Sequence, residues 1–193
     1  VKILFVNPEF PVTYWGFQYT LDLAGKHVNV PPLGLVTVAA LLPQTWELRL
    51  TDINIRPLTD QELLWADVVF LGGMRIQAKS MHAVIRRAHA LDRRVVVGGP
   101  APTTSPEEYL DADWVFCGEL EGRESELVAA LATPTDTHVV LKRSSDERPE
   151  LLTSPLPRFD LLQLDHYAVA AIQFSRGCPF SCEFCDIVEI FGH

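Results

Sequence analysis

The sequence predicts an α/β protein with a five-stranded parallel sheet of flavodoxin-like, Rossmann-like class and helices on both faces. Three observations predict it. Between Lys2 and about residue 132, short runs rich in β-branched residues alternate with longer segments of helical period. Two of those runs, Val68 to Gly72 and Arg94 to Gly98, are almost continuously apolar, as strands covered on both faces must be. The segments between them carry helix start and stop signals.

Taken in order, the first strand is Lys2 to Asn7. A long loop leads to a helix from Leu33 to Leu42, closed by Pro43, whose missing N–H cannot continue it. The second strand, Glu47 to Ile53, precedes a helix from Thr59 to Trp65, with Thr59 as N-cap and Glu62 three residues on to complete a capping box. The third strand, Val68 to Gly72, is followed by a helix from Ser80 to Leu91, and the fourth, Arg94 to Gly98, by a short helix from Pro106 to Leu110. That short helix starts with Ser105-Pro106-Glu107-Glu108, a proline in the first turn and carboxylates at the positive end of the dipole. A fifth strand, Trp114 to Gly118, and a helix from Glu124 to Leu131 complete the pattern. Its expected strand order is 2-1-3-4-5, with a ligand beyond the carboxyl ends of the strands.

The first domain is therefore expected over residues 1–133. Residues 134–167 read as a hairpin and linker: His138 to Lys142 and Leu151 to Thr153 form the arms around a polar tip, Arg143 to Glu150, and Ser154-Pro155-Leu156-Pro157-Arg158-Phe159 is a rigid spacer. A new strand, buried on both sides, is expected from Ala168 to Ser175, opening a second domain over residues 168–193. Only eight residues follow Cys185, so the chain reads as the front of a longer protein.

Composition narrows the function. Sixteen Lys and Arg against 25 Asp and Glu give a net charge of -9, with no basic block, so phosphate backbones are repelled and no nucleic-acid partner is expected. No apolar run approaches the ~20 residues of a membrane span, and the start is a strand rather than a signal peptide, which predicts a cytoplasmic protein. With 48% hydrophobic residues the chain is neither disordered nor fibrous. Neither G-x-G-x-x-G nor a P-loop occurs.

Three of the four cysteines, Cys178, Cys182 and Cys185, crowd into eight residues with the spacing C-x-x-x-C-x-x-C. Three thiolates on one loop can hold three corners of a [4Fe-4S] cube and leave the fourth iron open to a substrate or cofactor. A zinc site recruiting His193, and fortuitously grouped thiols, are the alternatives; the spacing within Ser175-Arg176-Gly177-Cys178-Pro179 favours the cluster. Cys117 ends a buried strand and reads as a small core residue, and His82 and His89 as one solvated helix face.

The stretch from Gln173 to Ile187 resembles the opening of a radical S-adenosylmethionine enzyme barrel. The resemblance implies that Cys178, Cys182 and Cys185 bind the [4Fe-4S] cluster, that the open iron takes the amino and carboxylate groups of S-adenosylmethionine, and that Phe184 lies close to the adenine. It covers about 25 residues, and no catalytic residue beyond the cluster ligands is expected here.

The first ~130 residues resemble the cobalamin-binding domain that precedes this barrel in one large subgroup. The resemblance rests on Asn7-Pro8, on Pro32-Leu33-Gly34-Leu35, on Gly98-Gly99-Pro100, and on Gly118-Glu119-Leu120-Glu121. Glycines at strand ends would let a flat macrocycle or its nucleotide tail lie against the backbone. Many such domains carry D-x-H-x-x-G after the first strand, with the histidine ligating cobalt; here that place is Asn7-Pro8-Glu9-Phe10-Pro11-Val12, and no histidine occurs before His27. A histidine ligand is therefore not expected. The loop Gly73-Met74-Arg75-Ile76-Gln77 is expected to face the lower side of the corrin, Arg75 and Gln77 holding a water or staying clear of the metal; the alternative is an ordinary exposed loop with Ile76 turned inward. Phe10, Tyr14, Trp15, Phe17 and Tyr19 either shield the corrin, line an apolar substrate channel, or pack the loop after the first strand against the barrel.

Together the two resemblances imply a cobalamin-dependent radical S-adenosylmethionine enzyme, most like the branch that contains the hopanoid C-2 methylase. They imply methyl transfer to an unactivated carbon of an apolar small molecule, with a flavodoxin- or ferredoxin-type electron donor. An oxidative cyclase and a non-catalytic corrinoid-binding module are the alternatives.

Overall fold

The computed structural model describes residues 1–133, 138–142 and 148–192, with the side chain of Trp15 left out. Most of the polar tip expected from Arg143 to Glu150 lies outside the described residues, as does His193. The core is one parallel sheet of six strands in the order 2-1-3-4-5-6. They are β1 (Lys2–Asn7), β2 (Glu47–Asp52), β3 (Val68–Gly72), β4 (Arg94–Gly98), β5 (Trp114–Cys117) and β6 (Val139–Lys142). The helices are α1 (Gln18–Leu21), α2 (Leu33–Leu41), α3 (Asp60–Trp65), α4 (Ala78–His89), α5 (Pro100–Thr104), α6 (Glu124–Ala132) and α7 (Ile187–Phe191). Alternate residues of the strands feed two apolar layers. Leu4, Val6, Val69, Leu71, Val95, Val97 and Val115 join the layer under α3 and α4; Ile3, Phe5, Val68, Phe70, Val96, Trp114 and Phe116 join the one under α2 and α6.

Local chemistry explains the best-anticipated helices. Thr59 caps α3: its Oγ1 accepts from the Glu62 N–H at 3.3 Å while Glu62 accepts from the Thr59 N–H at 2.9 Å, the reciprocal box that the spacing predicts. In α4, Met81, Val84, Ile85 and Ala88 recur at helical spacing and are buried.

Four expectations need correction. Val139–Lys142 is no hairpin arm but a sixth strand, parallel to β5 in the register Trp114↔Val139 to Cys117↔Lys142. α6 supplies the crossover, and Val140 packs on one layer while Val139 and Leu141 pack on the other, so both faces of the strand find a core. Leu151–Thr153, the other arm, is a single 3-10 turn. Pro106–Tyr109 is likewise a 3-10 turn, with α5 inserted ahead of it. Ala168 to Ser175 forms no buried strand: Val169, Ile172 and Phe174 are exposed, and the pairing consists of a bridge between Val28 and Tyr167 with bonds from Ala168 and Val169 to Val28 and Asn29. A strand needs a neighbour for its N–H and C=O groups, and among the described residues 170–175 have none. Among the described residues, no helix is long and apolar enough to cross a membrane.

Candidate functional site

Every loop that follows a strand of a parallel sheet emerges at one end, so the carboxyl ends of β1 to β5 define one face. At β1 and β2 that face is bound together by Asp52. Its buried carboxylate accepts from Asn7 Nδ2 (2.9 Å), from the backbone N–H and Nδ2 of Asn54 (2.9 and 2.7 Å), and from the hydroxyl of Tyr167 (2.8 Å). Burial, then the charge of Asp52 and the hydrogen bond to it, push the Tyr167 phenol well above its ordinary range. The Pro8 carbonyl accepts from Asn54 Nδ2 (3.1 Å) and Gln77 Nε2 (2.7 Å), and Gln77 Oε1 accepts from the Met74 N–H (2.9 Å). Asn7, Pro8 and Gln77 thus brace the loops after β1, β2 and β3 against each other.

At the ends of β3 and β4 the glycines bring backbone against backbone. Gly99 has φ +91°, and a Cβ there would lie 3.2 Å from Gly73 N and 3.4 Å from Gly73 O; the Ala101 N–H donates to that same carbonyl at 3.1 Å. A Cβ at Gly73 would meet Met81 Sδ at 2.8 Å, and one at Gly72 would meet Leu35 Cδ2 at the same distance. The turn Arg75–Gln77 then presents Met74 and Ile76, both half-exposed. Arg75 reaches sideways to Glu108 (3.1 Å) and Ser105 (3.1 Å).

At the end of β5, Gly118 (φ +87°) donates its N–H to Thr103 Oγ1 at 2.9 Å. The next loop supplies two carboxylates to one guanidinium: Arg176 Nη1 lies 2.5 Å from Glu119 and Nη2 2.5 Å from Glu121, with side-chain exposures of 13%, 9% and 6%. Burial works against the charged form of Glu121, yet Arg176 and Ser154, which donates to it at 2.9 Å, hold its carboxyl below the usual range. Two residues on begins the cysteine loop, closed by the Cys178 N–H donating to the Gly192 carbonyl (3.1 Å) and seated by buried Ile190 of α7. Cys178 is half-buried and Cys182 and Cys185 are exposed; none is in a disulfide. Phe184 is 91% exposed.

The B12 binding domain family matches residues 23–128, more than half of the chain and four of the six strands. The chain belongs to the B12-binding domain family. It is 42% identical over 194 residues to an uncharacterised methyltransferase of Synechocystis sp., covering all of this chain and 36% of that protein. It is 36% identical over 195 residues to the hopanoid C-2 methylase of Rhodopseudomonas palustris, covering 99% of this chain and 37% of that one. The anaerobic magnesium-protoporphyrin IX monomethyl ester cyclase of Synechocystis sp. is 26% identical over 219 residues, covering 96% of this chain and 42% of its own. The chain thus spans little more than a third of the length of the first two relatives. No solved structure matches it.

Exposed apolar side chains gather on the loop after β1 (Val12, Tyr14, Phe17, Tyr19), the loop after β3 (Met74, Ile76) and the cysteine segment (Ile172, Phe174, Phe180, Phe184). The Cβ positions of Gly72, Gly73 and Gly99 are filled by protein: Gly99 sets the approach of the β4 end to the β3 end, while Gly72 and Gly73 make room for Leu35 of α2 and Met81 of α4. Gln77 is buried and both its amide atoms are used internally, while Ile76, expected inward on the alternative reading, is half-exposed. The Glu119 carboxylate pairs with Arg176. Gly98 ends β4 as the sequence predicts, and Pro100 opens α5, a helix the sequence does not predict.

For iron, the donor set fits in kind and spacing, three thiols without disulfides on one short loop. Among the described residues no three ligating side chains converge, these three included. His82 and His89 each pair with a carboxylate, Asp111 and Asp113, at 2.9 Å. Cys117 is buried and its thiol contacts the Pro102 carbonyl at 3.4 Å. The sequence reading missed Asp52, Tyr167 and the partnership of Arg176 with Glu119 and Glu121. A lone charge in a cysteine motif and two carboxylates after a strand were visible; that residues 55 apart would meet was not.

Proposed function

We propose that this chain is the N-terminal part of a cobalamin-dependent radical S-adenosylmethionine methyltransferase that methylates an unactivated carbon of an apolar small molecule. One observation carries the reading: a C-x-x-x-C-x-x-C loop is pinned by Arg176 to the carboxyl end of a B12-binding domain, where that family's ligand belongs. Relatives named as methyltransferases align over 99% or more of the chain, cysteine loop included, which supports the same reading. When bound, a [4Fe-4S] cluster open to S-adenosylmethionine supplies radical chemistry and cobalamin supplies a transferable methyl group.

The chain's own residues contribute position and shielding. Cys178, Cys182 and Cys185 would hold three irons, and Phe184 offers a free aromatic face beside the last of them for the adenine. Met74 and Ile76 offer an apolar surface to the corrin next to the Gly98-Gly99 turn. Pro8 braces that floor through Gln77 and Asn54, and Asn7 through Asp52. The stretch Asn7-Pro8-Glu9-Phe10-Pro11-Val12 carries no histidine, and His27 pairs its Nδ1 with that of His166 at 2.9 Å, which supports a reading in which neither histidine would ligate cobalt. A flavodoxin- or ferredoxin-type donor and a cytoplasmic setting belong to the same proposal.

The similarity to the magnesium-protoporphyrin cyclase favours a second reading, oxidative ring closure by the same two cofactors. Two measurements test the pair. Hydroxocobalamin titrated into the chain should bind, and the Co(II) form should lack nitrogen superhyperfine splitting from a protein histidine; a folded chain that binds no corrinoid overturns both readings. In the intact protein, methylation should yield S-adenosylhomocysteine and 5′-deoxyadenosine in roughly equal amounts. 5′-Deoxyadenosine in step with product, without S-adenosylhomocysteine, selects the cyclase.

A further inference from the structure

We infer that Arg176 is a positioning residue: clamped by Glu119 and Glu121, it registers the cysteine loop on the cobalamin-binding face, so these two glutamates are a joint between the cofactor sites rather than ligands of either. The inference rests on the proposed function for what the loop carries, while the joint itself stands on geometry.

All three guanidinium nitrogens lie against an acceptor, Nη2 and Nε in hydrogen bonds and Nη1 in an ion-pair contact. Nη1 faces Glu119 and Nη2 faces Glu121, each at 2.5 Å, and Nε donates to Gln173 Oε1 at 2.9 Å on the same segment. A planar fork held by two hydrogen bonds and an ion-pair contact fixes both the position and the orientation of its plane, which the single point charge of a lysine does not do. Glu119 and Glu121 stand on one loop at alternate positions, immediately after Gly118, whose positive φ turns the chain at the end of β5. Arg123 stiffens that loop from below: Nη1 donates to the Cys117 carbonyl at 3.2 Å, and the guanidinium lies 4.3 Å from the centre of the Phe116 ring. Ser154 Oγ donates to Glu121 at 2.9 Å and lies 3.4 Å from Arg176 Nη2, bringing the linker into the same joint. Only Gly177 separates Arg176 from Cys178, and it adopts φ +84°. The first thiol is therefore displaced from the clamp by one turn of backbone. No other ion pair among the described residues joins the cysteine segment to the B12-binding domain.

Buried pairs of this kind are strongly destabilised when one partner alone is removed, because the other charge is left without compensation. The joint should accordingly behave as all-or-none.

The test compares wild type with Arg176→Lys, Arg176→Ala and Glu121→Gln by amide exchange, hydroxocobalamin titration and, after cluster reconstitution, the magnetic interaction between Co(II) and the reduced cluster. Expected for Arg176→Ala is exchange in residues 176–192 faster by about tenfold or more, with exchange in β1 to β4 unchanged. Corrinoid affinity should stay within about twofold of wild type, since the clamp lies beside the corrin face and not in it. Arg176→Lys should keep the loop closed more nearly than alanine but weaken or scatter the Co(II)–cluster interaction, a readout that loop stability alone would not move. Unchanged loop exchange in Arg176→Ala overturns the inference, as does a Co(II)–cluster interaction that survives lysine intact. If wild type binds no corrinoid, the proposed function fails by itself and the exchange measurement still decides the joint.

Discussion

Gly98 and Gly99 are adjacent in sequence, yet the structure gives them opposite sensitivities. Gly99→Ala places a Cβ on a residue with φ +91° and ψ −171°, a region open almost only to glycine, at a cost of about 1–3 kcal/mol. The new carbon would also lie 3.2 and 3.4 Å from the backbone N and O of Gly73, atoms that cannot swing aside because the Gly73 carbonyl holds the Ala101 N–H. Separating the ends of β3 and β4 by a few tenths of an ångström stretches that bond, so the total should approach ~3 kcal/mol. At Gly98 a Cβ would meet Phe116 O at 3.5 Å and Phe116 Cβ at 4.0 Å, ordinary contacts, with no positive φ. Gly98→Ala should change stability by less than about 1 kcal/mol in either direction, because reduced freedom of the unfolded chain offsets small contacts in the folded one. Urea unfolding of the cofactor-free chain measures both. A Gly98→Ala variant as unstable as Gly99→Ala, or a harmless Gly99→Ala, would refute this account of the strand ends. The same pair separates packing from binding: a stable Gly98→Ala chain that loses hydroxocobalamin affinity would assign Gly98 to the cofactor directly.

Three further outcomes are expected. Burial alone would raise the Glu62 carboxyl, but Arg56, Thr51 and Thr59 outweigh it and hold it at about 2. The folded state therefore gains stability from this group above pH ~4.5 and loses it as pH falls toward ~2; since Arg56 is 41% exposed, the gain is discounted to on the order of 2 kcal/mol. Glu62→Gln, which can still serve the capping box, should lose that amount at neutral pH and converge on wild type in acid, and urea midpoints that differ equally at pH 7 and near pH 3 would contradict the assignment. Tyr167→Phe should cost about 1–2 kcal/mol and speed amide exchange at Val28 and Ala168, whereas unchanged exchange would mean that the hydroxyl does not tie residues 158–169 to Asp52. Cys182→Ala should lower iron retained after anaerobic reconstitution to background, while Cys117→Ala should leave it unchanged; iron lost equally in both would place a ligand role on the buried thiol.

The central fold was legible because its signals are local. Apolar runs, a proline stop and the Thr59–Glu62 spacing each report on a few neighbouring residues, and β1, β3 and β4 appear with the bounds that these signals imply. β6 was misread because Val139 to Leu141 can pair in either direction, and only the presence of β5 beside it decides. The segment after Ala168 is apolar enough to be a strand but has no sheet partner here, and apolarity alone cannot supply one. At the site, spacing exposed the cysteines because all three lie on one loop. The internal partners of Gln77 and Glu119 are not legible, because a polar residue after a strand looks the same whether it faces a ligand or a neighbouring loop. Asp52 went unnoticed for a related reason: its role exists only once Asn7, Asn54 and Tyr167, up to 115 residues away, have been brought to it.

The two attachments of the C-terminal segment restrict where a ligand can lie. Tyr167 is tied at the end of β2, and Arg176 is tied beyond the end of β5, nine residues later. In the order 2-1-3-4-5 these strands are four spacings apart, roughly 19 Å at ~4.8 Å per spacing. Nine extended residues reach about 30 Å. The segment is long enough to cross the whole carboxyl end with about 10 Å to spare, so it can rise no more than roughly 12 Å above the ends of β1, β3 and β4. That constraint accords with the lack of a strand over 170–175: its two ends are fixed, and it pairs with no sheet edge. Between the two ties, at the ends of β3 and β4, lie the half-exposed Met74 and Ile76 and the Gly98-Gly99 turn. A corrin seated there would lie under the same segment that leads into Cys178, and the proximity of the two proposed cofactors follows from chain length and two side-chain bonds.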